Sequence, residues 1–87
     1  MSIMYINKLS IDLNDNNFKL LNELSNNEII TNIDLNCDND KIIINIYDRN
    51  TFLRLNNELK CNSVFYEVLG IKGRKDEILD TYHHLIN

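Results

Sequence analysis

The chain has 87 residues, of which 44% are hydrophobic and 25% charged, and its formal net charge is -4. That length sets one domain over residues 1–87, and the composition is that of a globular chain rather than a disordered one. The acidic balance excludes a broad basic footprint for nucleic acid, and no apolar run approaches the ~20 residues of a membrane span.

Residues 3–13, IMYINKLSIDL, read as a first strand. Ile3, Tyr5, Leu9, Ile11 and Leu13 share one parity, which Asn7 breaks. NDNN follows and offers side chains that cap a helix. Phe18, Leu20, Leu21 and Leu24 then form a helical stripe that ends at SNN, Ser25–Asn27.

From Ile29 to Cys37 the chain alternates again. Ile29, Thr31, Ile33, Leu35 and Cys37 lie on one face, with Ile30, Asn32, Asp34 and Asn36 on the other. CDND supplies turn chemistry, and KIIINIY, Lys41–Tyr47, is the returning strand. Two alternating runs joined by Asp and Asn predict a β-hairpin. A helix follows over residues 50–60 with Phe52, Leu55 and Leu59 as its stripe and Asp48 or Asn50 as its cap. NSVFYEVLGI, residues 62–71, reads as a fourth strand, and RKDEILDTYHHLI as a last helix with Ile78, Leu79, Tyr82, Leu85 and Ile86 on one side.

The order β-α-β-β-α-β, then α, predicts an α+β fold. It is the ferredoxin-like split βαβ arrangement, with a four-stranded antiparallel sheet and an extra C-terminal helix. The inward set is Ile29, Ile33, Leu35, Ile42, Ile44 and Ile46. The opposite face carries Ile30, Ile43, Tyr47 and part of the fourth strand, and it is too apolar to stay wholly wet: the last helix or a partner covers it. Regulatory ligand-sensing domains of the ACT type and RNA-recognition motifs share this element order, but a fold alone carries no function. An RNA-recognition motif stacks bases on aromatics of its third strand, where KIIINIY has isoleucines.

VLGIKGRK, Val68–Lys75, holds both glycines of the chain and three of its nine basic residues. Gly70, Lys72, Gly73, Arg74 and Lys75 are the candidate anion or nucleic-acid contact. Backbone N–H groups of a glycine loop before a helix can bind a phosphate. The competing reading makes the two glycines a corner between strand and helix, with Asp76 and Glu77 complementing the helix dipole. The GxxG loop of a KH domain lies between two helices, and here the chain ends after one.

Other motifs are weaker. Asp34–Asp38 has D-x-N-x-D spacing and Asp12–Glu23 ends in Glu at its twelfth position, but both lack the glycine of a calcium loop. His83 and His84 are adjacent on a helix, so their side chains diverge and no metal pair forms. No nucleophile elbow appears, and no enzyme, metal or cofactor is expected. Cys37 and Cys61 form no CxxC pair, and no signal-peptide pattern opens the chain, so the expected location is cytoplasmic. Asp12, Asp15, Asp34, Asp38 and Asp40 are expected at one acidic edge, because the hairpin tip and the first loop can be neighbours.

Asn occurs sixteen times, while Ala, Pro, Gln and Trp are absent, the signature of an AT-biased genome. These features favour a small non-catalytic protein-interaction module, an inhibitor or regulator that occludes a partner's surface. A phage or mobile-element anti-defence protein would suit that description. The expected interface residues are Ile30, Ile43, Tyr47, Asp34, Asp38 and Asp40, and a homodimer through the sheet face is a related expectation. A nucleic-acid- or phosphate-contacting protein and a ligand-sensing regulatory domain are the alternatives.

Overall fold

The computed structural model describes residues 4–73. The elements are β1 (Tyr5–Asp12), α1 (Asp15–Asn26), β2 (Ile33–Asp38), β3 (Lys41–Ile46), α2 (Arg49–Cys61) and β4 (Glu67–Lys72). The fold is α+β. Its open sheet has the order β2-β3-β1-β4, and every neighbouring pair is antiparallel. The expected C-terminal helix, with Arg74, Lys75, His83 and His84, lies outside the described residues.

One face of the sheet makes the core. Leu9 and Ile11 of β1 pair with Ile44 and Ile42 of β3, so their side chains share a face. These residues and Ile46 bury against Leu21 and Leu24 of α1, and against Leu55 and Leu59 of α2. Both helices therefore cover the same side. The α1 stripe runs through Asn17, Leu21 and Leu24, whereas Phe18 is exposed.

Side chains near each helix start satisfy backbone donors that have no partner within the helix. Asn14 caps α1 by accepting from the Asn17 backbone at 2.8 Å, and the Asn17 amide donates to the Asp12 carbonyl at 2.8 Å. Asp48 caps α2 by accepting from the Thr51 N–H at 2.8 Å and the Thr51 hydroxyl at 2.7 Å.

Both helices also end alike. Ile29 N donates to the Leu24 carbonyl and Val64 N to the Leu59 carbonyl, while Glu28 and Ser63 each take φ 57°. These are Schellman ends built on residues other than glycine at the left-handed position. Relieving the strain there should stabilise the fold: Ser63→Gly is expected to raise stability by about 1 kcal/mol. Urea denaturation would check it, and a loss of stability would contradict the φ at this site.

The first of these turns corrects the sequence reading of β2. The strand starts at Ile33, not Ile29. Ile30 N also donates to Leu24, and the bend swings Ile30 into the core at 2% exposure. Its expected place on the open face is therefore wrong. Ile29 is exposed instead, and Leu35 is 45% exposed although it pairs with Ile44. The reason is that β2 is an edge strand, with a neighbour on one side only. The second turn shortens β4, since Asn62–Tyr66 close α2 and connect it to the sheet. The hairpin forms as expected: Asp38 faces Lys41 across a two-residue tip, with Asn39 at φ 57°.

Candidate interaction surface

The open face is set by the residues that alternate with the core. Register lines up Asp34, Asn45 and Lys8 in one row across the sheet. The next row is Asn36, Ile43, Ser10 and Glu67, and the last is Asp38, Lys41 and Asp12. Of the expected interface residues, Ile43 is half-buried and Tyr47 exposed on this face. The Tyr47 hydroxyl donates to the Asp34 carboxylate, and this bond first, with desolvation and the Asp34 charge adding, raises the Tyr47 pKa.

Asp38, Asp40 and Asp12 come together at the end of the sheet where the hairpin tip meets the β1–α1 loop. Leu13 N donates to the Asp40 carbonyl at 2.8 Å, which joins the two turns. Lys41 forms an ion pair with Asp12 there. The hydrogen bond to Asp12 raises the Lys41 pKa most, followed by the Asp12 charge, with Asp40 and Glu67 adding to it. Asp34 stands apart from this acidic end, four residues along β2, or ~13 Å of strand.

Phe65 escaped the sequence reading, which placed it within the fourth strand and assigned it no role. It is 91% exposed. Its neighbours explain why. Val64 is tied by its N–H to the end of α2, and the Tyr66 hydroxyl donates to Asn56 at 2.9 Å. Both of these side chains pack on the core. The extended segment between them can only turn Phe65 outward. The sequence signal was the Asn62-Ser63 pair after α2, which marks a helix end rather than strand. Phe65 walls a groove of about 600 Å³, with Asp12, Glu23, Asn17, Leu20 and Val64 among its lining.

The glycine pair has a local explanation. Gly70 lies inside β4, paired with Lys8 where the β1–β4 register is irregular. A Cβ there would stand 2.8 Å from Asn7 Oδ1, and one at Gly73 would stand 2.5 Å from Met4 Cγ. Neither glycine has positive φ, so no left-handed nest of N–H groups forms at either. Close approach of β4 to β1 is what these positions require. Lys72 ends the strand, and Arg74 and Lys75 lie outside the described residues.

The D-x-N-x-D residues belong to β2, which spreads them along an extended strand instead of wrapping them around an ion. Among the described residues, no three His, Cys, Asp or Glu side chains group to hold a metal ion, and no helix is long and apolar enough to cross a membrane. Cys37 and Cys61 are exposed and free. No family model, curated protein or solved structure matches this chain.

Proposed function

We propose that the protein is a small ferredoxin-like, non-catalytic interaction module. It acts in a reducing cytoplasm as an inhibitor or regulator that occludes a basic surface of a protein partner. The exposure of Phe65 on a segment pinned from both sides carries this reading. Such an aromatic side chain, already ordered before contact, is the kind of residue on which binding energy concentrates. Asp12 and Glu23 line the same groove, and Asp38 and Asp40 stand at the neighbouring end of the sheet. An Arg or Lys of the partner can lie on the Phe65 ring and meet these carboxylates. The order β2-β3-β1-β4 supports the ferredoxin-like assignment.

The test uses wild type, Phe65→Ala, Asp38→Lys and Lys72→Ala as affinity baits, with quantification of what each retains. A basic protein should bind wild type and Lys72→Ala equally. Its affinity should fall at least ~30-fold with Phe65→Ala, matching the ≥2 kcal/mol typical of a central aromatic anchor. Retention unchanged by Phe65→Ala and Asp38→Lys would overturn the proposal. So would a retained species that proves to be nucleic acid released by Lys72→Ala.

A further inference from the structure

Phe65 borders a second hollow as well as the groove beside α1. This hollow has a volume of about 340 Å³ and is walled by Lys60, Val64, Phe65 and Tyr66. Ser63, Val64 and Phe65 line both spaces, so this segment is the ridge between them and Phe65 is its crest.

The two sides differ in chemistry. The groove sets Asp12 and Glu23 against one ammonium, Lys19. Asp12 pairs with Lys41, whereas Glu23 has no ion pair among the described residues. Asn17 also lines the groove, although it is only 8% exposed. Its side-chain N–H is spent on the Asp12 carbonyl, so its Oδ1 is a fixed acceptor with no partner among the described residues. The second hollow is mainly apolar. The Tyr66 hydroxyl there is already taken by Asn56, and the single charge, on Lys60 at the end of α2, is positive.

We propose that an extended peptide segment of the partner straddles Phe65, with an arginine on the groove side and an aliphatic residue two positions away on the other. This rests on the reading of Phe65 as the anchor for a protein partner. Geometry sets the spacing. In an extended chain, residues i and i+2 point the same way and stand ~6.6–7 Å apart. Side chains packed on both faces of a ring, each at roughly 3.5–4 Å, must be ~7–8 Å apart. Adjacent residues point in opposite directions and cannot clasp one ring. Charge sets which side takes which residue. The groove takes the cation, and arginine suits it better than lysine. A guanidinium is planar, stacks on an aromatic face and offers five N–H donors to acceptors such as Asn17 Oδ1 and a carboxylate. Lys60 repels a second basic residue from the other hollow, whose apolar walls suit a leucine-sized side chain.

The test is an amide NMR titration of the full chain with acetyl-Thr-Leu-Thr-Arg-Thr-Leu-Thr-amide, which offers the spacing in either chain direction. Shifts are expected at Asn17 and Glu23 on one side of Phe65, and at Lys60 and Tyr66 on the other. Two control peptides have the same length. Placing the leucines next to the arginine, as Thr-Thr-Leu-Arg-Leu-Thr-Thr, and replacing the arginine with lysine should each weaken binding at least ~5-fold. Phe65→Ala should abolish the shifts, and this side chain is exposed enough for the variant to keep its fold. Equal binding of the three peptides, shifts on one side of Phe65 only, or an unchanged titration with Phe65→Ala would overturn the proposal. So would the absence of binding at about 10 mM peptide. If Phe65→Ala still releases a basic protein from the affinity baits in that case, the motif alone is wrong and the broader reading stands. The expected peptide preferences with no basic protein retained would support the motif and overturn the broader reading.

Discussion

Ile44→Ala is expected to destabilise the fold by about 3 kcal/mol, among the largest effects of any single truncation in this chain. Ile44 is wholly buried in the middle of the sheet, between Leu9 of β1 and Leu35 of β2. The helices close over that face through Leu55 and Leu59 on α2, and Leu21 and Leu24 on α1. Removing three carbons leaves a cavity that strands on both sides hold open, so little relaxation can fill it. A domain of this length has about 4–13 kcal/mol in total. The loss should lower the Tm by more than ~10 °C. Ile43→Ala is the control. It lies one residue away but on the open face and is only half-buried, so its expected cost is about 1 kcal/mol. Urea denaturation of both variants checks the difference. Equal costs would mean that the faces of β3 are reversed.

The second large effect concerns Asp48. Its carboxylate caps α2 through Thr51 and also accepts from the Asn32 side chain at 2.6 Å, which ties the start of α2 to the segment before β2. Asp48→Ala should cost about 1–2 kcal/mol at neutral pH, with the released Asn32 amide returning to solvent. These bonds also set a pH dependence. The Asn32 bond first, then the Thr51 N–H and hydroxyl, hold the Asp48 pKa below its ordinary value. A depressed folded pKa favours the charged form in the folded state. Its contribution is therefore complete above the unfolded pKa of about 3.9 and disappears as pH falls through the lower folded value. The stability gap between wild type and Asp48→Asn should be wide at pH 7 and should narrow as pH falls below the unfolded value and through the lower folded one. A gap that stays constant over that range would show that the cap works without its charge.

Much of the fold was legible because it rests on local chemistry. KIIINIY alternates without a break, and CDND provides the left-handed Asn39 at the tip. Leu55 and Leu59 have helical spacing, and Asn14 and Asp48 precede helical stripes as caps. Each of these features is contained within a few residues, so the sequence shows cause and effect side by side. Register was harder. The alternation Ile29-Ile30-Thr31 continues the pattern of β2, yet Glu28 at φ 57° ends α1 with a bend, and that bend decides where Ile30 points. A left-handed Glu has no sequence signature as glycine would.

The surface divides in the same way. Composition and charge set an acidic module without a basic footprint, and the Asp residues at the hairpin tip were visible as an acidic stretch. Their meeting with Asp12 depends on β1 lying beside β3, a pairing between residues about thirty positions apart that no local pattern encodes. The glycines of VLGIKGRK look like a phosphate loop in isolation. The close passage of β4 against Asn7 and Met4 gives them another reason to be there. Phe65 is the strongest case. In the sequence it is one hydrophobic residue in a hydrophobic run. It faces water because Val64 and Tyr66 on either side are fastened to α2 and to the core, and an extended chain cannot turn three successive side chains the same way. The sequence by itself determined the order of the elements from β1 to β4 and offered the side chains that cap the two helix starts. The tertiary structure decided which side chains those elements leave for a partner, because exposure follows from contacts between distant segments.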